Sequence, residues 1–359
     1  MEPVNISEFE GLARERMTQQ AFDYVAGGAD DEVSLRENRA AFERLALLPR
    51  VLIDVSTVDT STRVLGENIS FPVLVAPTAF QTLAHADGEL ATARGTSAAG
   101  TVMIVSTMAS HRLEDIAAAA PGAKWFQLYC HKERGVTQEL VKRAEAHEYK
   151  AICVTVDVPR LGRRERDFRN QFTLPSDMVP RNFEDVADLA GVDAAALGSH
   201  LADHIGSLLD DSLTWDDIAW LKSITTLPLL LKGVLNSDDA KLAADAGVAG
   251  IVVSNHGGRQ LDGVVTALDV LPDIVSAVGD RVEVLMDGGI RRGTDVVKAL
   301  ALGARAVLLG RPYVWGLAAD GEAGVTKVLQ MLHDEVELAL ALCGCPNVAA
   351  VSSELVRYR

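Results

Sequence analysis

The chain has little cysteine, no excess of positive charge and no long apolar run, and each shortage removes a class of protein. Four cysteines in 359 residues, Cys130, Cys153, Cys343 and Cys345, are too few and too scattered for a disulfide framework or a four-ligand zinc site. Cys343-Gly344-Cys345 reads as a helix end rather than a redox pair. A formal net charge of −16 opposes nucleic-acid binding, which needs a basic stripe against phosphates. No segment approaches the ~18 apolar residues of a membrane span, and Met1 to Met17 carries acids where a signal peptide needs a basic start. A cytoplasmic protein with no membrane partner is expected. His85, His111, His131, His147, His200, His204 and His333 lack metal-ligand spacing, so no metal is expected either. Gly27-Gly28 is no dinucleotide fingerprint, because no strand precedes it.

What is present is a large apolar core, with 48% hydrophobic residues in a chain longer than the ~250 residues typical of a β/α barrel. Short β-branched runs alternate with helical stretches, the pattern of parallel strands joined by crossover helices. Eight such runs stand out: Phe71 to Ala76, Val102 to Ser106, Lys124 to Tyr129, Ala151 to Val156, Leu229 to Lys232, Gly250 to Ser254, Val282 to Asp287 and Ala306 to Gly310. Helical spacing fills Gly88 to Ala99, Gly135 to His147, Ser237 to Ala246 and Thr294 to Leu302. The prediction is an α/β protein of one domain, a TIM (β/α)8 barrel over residues 71–320. An N-terminal helical segment (1–70), a long lid insertion after strand 4 (158–212) and a C-terminal helix and tail (321–359, with the helix near Glu322 to Leu342) complete it. The insertion is polar and carries Pro159, Pro175 and Pro180, as a long functional loop over a barrel mouth does.

Active sites of this fold sit at the carboxyl ends of the strands, and nearly every run here ends in chemistry. In order these ends are Pro77-Thr78-Ala79, Ser106-Thr107-Met108, Gln127-Leu128-Tyr129, Thr155-Val156-Asp157, Lys232, Ser254, Asp287-Gly288-Gly289-Ile290-Arg291 and Gly310-Arg311. The sixth continues through Asn255-His256-Gly257-Gly258-Arg259, which puts a base and a carboxylate clamp in one loop whose glycines allow close approach to a flat ligand. By itself this run also fits a glycine-rich turn with a capping histidine. The glycines and arginines after the seventh and eighth runs fit a phosphate, bound by backbone N–H groups and by Arg291 and Arg311. Asp287 suits a ribityl hydroxyl on the same ligand.

These segments together resemble the FMN-dependent L-2-hydroxy acid oxidase and dehydrogenase family, which includes glycolate, lactate and mandelate oxidases. The resemblance spans the chain. It runs from Asp23-Tyr24-Val25-Ala26-Gly27-Gly28 through Ala76-Pro77-Thr78-Ala79, Phe126-Gln127-Leu128-Tyr129, Thr155 to Arg164, Leu231-Lys232-Gly233 and Ser254 to Gln260 to Asp287-Gly288-Gly289 and Gly310-Arg311-Pro312. It implies FMN as cofactor, a small 2-hydroxy acid and O2 as reactants, and a tetramer or octamer. It implies that His256 is the base, with Asp157 stabilising its imidazolium, and leaves open whether the Cα or the hydroxyl proton is removed. Arg164 and Arg259 become the carboxylate clamp, with Tyr24 as a further donor and Tyr129 near the substrate hydroxyl. Lys232 offsets negative charge on the cofactor ring, while Pro77, Thr78, Ala79, Ser106, Gln127, Thr155 and Ser254 line it and Asp287, Gly288, Gly289, Arg291, Gly310 and Arg311 hold its tail. Apart from Arg164, residues Arg160 to Arg169 read as a solvated lid face.

Met108 stands where glycolate oxidases resembling this chain have tryptophan, which implies room for L-lactate, longer aliphatic acids or S-mandelates unless lid residues near Leu208 and Leu209 fill it. Ala79, where several membrane-linked dehydrogenases have glycine, favours O2 over a quinone or cytochrome as acceptor. An isomerase or lyase does not explain the paired arginines beside His256, and a flavin-binding protein without catalysis needs neither His256 nor Asp157.

Overall fold

The computed structural model describes residues 2–175, 178–184 and 209–359. Eight parallel strands close into a barrel: β1 (Val73–Val75), β2 (Met103–Ser106), β3 (Lys124–Leu128), β4 (Ile152–Thr155), β5 (Leu229–Val234), β6 (Gly250–Val253), β7 (Glu283–Asp287) and β8 (Ala306–Leu309), with β8 pairing back onto β1. The strand ends shift by one or two residues from the apolar runs: most strands are shorter, with Ala76, Tyr129, Val156, Ser254 and Gly310 falling in the loops at the carboxyl rim, whereas β5 runs on to Val234.

The runs are apolar throughout because both faces of every strand are buried. Leu74, Ile104, Trp125, Cys153, Leu230, Val252, Leu285 and Leu308 fill the barrel interior. Alternate residues such as Val75, Val105, Phe126, Val154, Ile251 and Val307 pack outward against the helices. The hairpin Thr62–Val64 and Glu67–Ile69 stoppers the amino end, with Val64 and Ile69 joining the interior cluster. That leaves the carboxyl end open for chemistry.

The chain termini brace each other. Leu45–Leu47 pairs antiparallel with Val356–Tyr358. The C-terminal helical stretch begins earlier than its spacing predicts, at Arg311 straight after β8, and breaks at Asp320 and Gly321, where φ is +55°. The predicted helix from Glu322 is the second half of that stretch. Cys343 caps it and Gly344 (φ +71°) turns the chain away, as a helix end requires.

The N-terminal segment supplies helices Phe9–Arg16, Gln19–Ala26 and Val33–Glu43, the second of which ends at the barrel mouth. The described part of the insertion contains a short helix, Glu165–Arg169, and a 3-10 turn, Arg181–Phe183. Expectations on Leu208, His200 and His204 lie outside the described residues.

Candidate active site

A cavity of about 900 Å³ opens at the carboxyl ends of β1–β8, lined on its outer side by residues 160–164 and 171–173 of the insertion. Nearly all the expected site residues line it. They are Tyr24, Pro77, Thr78, Ala79, Ser106, Met108, Gln127, Tyr129, Thr155, Arg164, Lys232, His256, Arg259, Asp287, Gly288, Gly289, Arg291, Gly310 and Arg311. Asp157 and Ser254 stand behind this wall, Asp157 hydrogen-bonded to His256 and Ser254 to both His256 and Lys232.

His256 sits in the loop after β6 with φ +57°, a conformation costly for a side chain with a Cβ and held by its backbone N–H donating to Ser254 Oγ at 2.9 Å. Its Nδ1 meets Asp157 Oδ1 at 2.9 Å, which leaves Nε2 as the ring nitrogen available to a ligand. Burial pulls the imidazole pKa down, opposed by Asp157 and reinforced by Lys232. The balance favours the neutral imidazole. Burial works to raise Asp157, but the charges of His256 and Lys232 prevail and hold it below the usual carboxylate range. Its second oxygen, Oδ2, is buried without a partner.

Lys232 on β5 is buried, donates to Ser254 Oγ at 3.0 Å and lies 3.1 Å from Asp287 Oδ2. Burial works to lower its pKa, yet Asp287 and Asp157 raise it well above the ordinary lysine value. The two carboxylates thus favour its charged form. Tyr129 is pushed up to about 12 by burial and by Asp157, so its phenol remains a proton donor.

Two arginines of the cavity wall are organised around Tyr24. The Arg259 and Arg164 guanidinium carbons lie 5.2 and 5.9 Å from the ring centroid. Arg259 Nη1 donates to the carbonyls of Tyr24 (2.7 Å) and Gly27 (2.9 Å), so the carboxyl end of helix Gln19–Ala26 fixes it. Burial and the like charge of Arg164 pull Arg259 down to about 10. Arg164 Nε is buried without a partner. An arriving carboxylate relieves both penalties.

Gln127 joins three strands at the inner wall. Its Nε2 donates to Thr155 Oγ1 at 3.0 Å and its Oε1 accepts from the Thr107 backbone at 3.2 Å. At the opposite end Gly288 (φ +98°) and Gly289 (φ +82°) expose backbone, and a Cβ on Gly289 would stand 2.0 Å from the Asn38 carbonyl oxygen. Arg311 places three of its five donors on the carbonyls of Val25 (3.0 Å), Gly257 (3.1 Å) and Gly27 (2.9 Å), which leaves two for a ligand. Burial and neighbouring arginines depress Arg311, while burial and Arg39 bring Arg291 to about 10. Among the described residues, no carboxylate pairs with Arg259, Arg291 or Arg311. Such uncompensated positive charge suits an anion.

Arg166 stays partly exposed and also docks the insertion: its Nη2 donates to Glu32 at 2.6 Å and its Nη1 lies 3.6 Å from Asp23, because helix Glu165–Arg169 packs onto helix Gln19–Ala26. Arg160 and Arg169 remain exposed. The sequence also hid Phe172, whose ring stacks on Tyr24 at 4.6 Å, and Asp167, which lines the cavity. Nothing in the spacing of Phe172 signals a partner so far back along the chain.

A family model for FMN-dependent dehydrogenases matches residues 13–358. The chain is 53% identical to glycolate oxidase 3 of Arabidopsis thaliana over 352 residues, 98% of this chain and 95% of that one. It is 51% identical to L-lactate oxidase of Nostoc sp. over 358 residues, 99% and 98% of the two chains. A solved structure of mandelate oxidase superposes with a TM-score of 0.91 at 44% identity, covering 100% of this chain and 99% of the other.

Proposed function

The chain belongs to the FMN-dependent dehydrogenase family, and on that footing we propose that it oxidises an L-2-hydroxy acid larger than glycolate to the 2-oxo acid, with O2 as electron acceptor and H2O2 as product. The carrying observation is the buried His256–Asp157 pair opening onto the same cavity as Arg164 and Arg259, a base beside a carboxylate clamp. FMN fits the rest of that cavity. Asp287 Oδ1 is buried without a partner, and the cradle at Gly288 and Gly289 has no room for a Cβ on Gly289. Thr78, Ser106, Gln127, Thr155 and Lys232 would hold its ring, Asp287 its hydroxyl chain, and the backbone around Gly288, Gly289 and Gly310 with Arg291 and Arg311 its phosphate.

The chemistry that bound FMN supplies is acceptance of two electrons from the substrate and their transfer to O2. The protein supplies orientation and proton handling. Arg164 and Arg259 fix the substrate carboxylate, Tyr24 and Tyr129 donate hydrogen bonds, and His256 Nε2 takes the proton. Asp157 stabilises the imidazolium that forms, and Lys232 presents a fixed positive charge where electrons arrive.

Met108 and Ala79 carry the two finer parts. Met108 lines the cavity as a flexible thioether, which supports a substrate larger than glycolate, and Ala79 lines it after β1, where its methyl group supports O2 as acceptor. A single FMN domain assembled as a homotetramer or octamer fits exposed Leu48, Val51 and Leu52, which flank the hydrogen bond from Arg50 N to the Cys343 carbonyl beside exposed Leu342. Four free buried cysteines suit a reducing cytoplasm; among the described residues no helix is long and apolar enough to cross a membrane. The test is mass spectrometry of the released cofactor together with peroxide-coupled rates on glycolate, L-lactate and S-mandelate. FMN and a preference for the larger acids are expected; a different cofactor, or preference for glycolate, overturns the corresponding part.

A further inference from the structure

Asn182 lies in the insertion, far from β2 in sequence, and is completely buried. Every polar atom it has on this side is used. Its Nδ2 donates to the carbonyls of Ser106 (3.3 Å) and Thr107 (3.0 Å), the residues where β2 runs into the cavity. Its Oδ1 accepts from the backbone N–H of Leu113 at 2.8 Å. That bond replaces a missing one: helix Leu113–Ala119 begins after Arg112, which gives no side-chain cap. The Asn182 carbonyl in turn accepts from Arg143 Nη1 at 2.7 Å, and Arg143 is clamped by both oxygens of Glu114 at 2.6 and 2.9 Å.

Around this amide every backbone carbonyl of the loop 106–109 is hydrogen-bonded. The Met108 carbonyl accepts from Phe80 N at 3.1 Å and the Ala109 carbonyl from Arg181 N at 3.1 Å. The Met108 N–H donates to Ser106 Oγ at 3.1 Å. Two of the anchors, Arg181 and Asn182, come from the insertion. The insertion therefore does more than cover the cavity, because it grips the backbone that carries Met108.

We propose that Asn182 is a positioning residue that sets substrate size selection, by fixing the Ser106–Thr107 carbonyls and so the place of the Met108 side chain in the cavity wall. The proposal rests on Met108 forming the substrate-side wall. An amide is required because it offers a donor to the two carbonyls and an acceptor to Leu113 at once. An aspartate of the same shape turns the donor into a second acceptor facing two carbonyl oxygens, and the loop must move away.

The test compares the holoenzyme with Asn182→Asp, Asn182→Ser, Met108→Ala and the double variants, measuring kcat/KM for S-mandelate and glycolate, the flavin absorption spectrum and the melting temperature. For Asn182→Asp and Asn182→Ser the mandelate-to-glycolate ratio shifts about five- to tenfold, mainly through KM, with FMN retained. In the Met108→Ala background the same substitutions shift it less than about twofold, since the side chain through which they act is gone. A lower melting temperature with an unchanged ratio means a structural role only and overturns the proposal, as does an equal shift with and without Met108. If Asn182→Asp does not fold, Asn182→Ser decides alone. Should Met108→Ala itself leave the ratio unchanged, the wall assignment fails and takes the proposal with it, an outcome distinct from a shifted Met108→Ala beside an unshifted Asn182→Ser.

Discussion

A methyl group on Gly233 would stand 2.5 Å from the carboxylate carbon of Asp157, so the absence of a side chain at the end of β5 is what lets that carboxylate reach Nδ1 of His256. Gly233 also holds φ +111°, which residues with a Cβ avoid. Gly233→Ala is expected to retain FMN while kcat falls by about tenfold or more, approaching the loss of a misoriented general base. Rapid-reaction rates with saturating substrate check this; wild-type kcat in the alanine variant refutes the dependence of Asp157 on Gly233.

The pH profile follows from the same pair. His256 works as a base only when neutral, and burial places its pKa below the usual 6.5, so kcat/KM rises with pH along an acid limb lying below that value. Asp157 raises the His256 pKa, hence Asp157→Asn moves the limb to still lower pH while reducing the plateau. Lys232, held cationic, adds no limb in the neutral range. A limb that moves upward in Asp157→Asn contradicts this assignment.

Met108→Trp is expected to shift preference toward glycolate. Each substrate methylene displaced from the apolar wall forfeits ~0.8 kcal/mol, roughly fourfold in binding, so the loss accumulates with substrate size. Leu209 lines the cavity and is the nearby alternative. Equal kcat/KM ratios in wild type and variant transfer the size filter from Met108 to Leu209.

His131 ties the insertion to β3: it is buried, tilts against Phe183 at 4.9 Å and bridges Leu209. Burial depresses its pKa from 6.5 to about 4. Between those values the unfolded chain binds the proton that the folded chain refuses, so stability is complete above 6.5 and falls as pH drops toward 4, by up to about 3 kcal/mol. Denaturant unfolding of His131→Phe against wild type across that window checks the effect. Equal pH dependence in the two proteins removes His131 from the acid sensitivity.

The barrel was legible because parallel strands buried on both faces leave continuous apolar runs, and the site because each run ends in a polar group at one rim. The ion pairs of Arg166 were hidden, since its acidic partners Asp23 and Glu32 are brought to it only by the packing of two helices. Phe172 and Asn182 were invisible for the same reason: a stacking ring and a buried amide have no local signature when their partners are Tyr24 and the Ser106–Thr107 backbone. The early start of the last helical stretch was missed because the break at Gly321 separates its two halves.

The central claim is that this cavity takes electrons from an L-2-hydroxy acid and gives them to oxygen, and anaerobic stopped-flow mixing of the holoenzyme with L-lactate or S-mandelate, then with air-saturated buffer, tests it most directly. The flavin absorbance is expected to bleach with the L-acid but not its mirror image, to bleach at least ~10²-fold more slowly in His256→Ala, and to return on aeration with one H2O2 per flavin. Unchanged flavin absorbance with every L-2-hydroxy acid, or recovery only on adding a quinone, contradicts it.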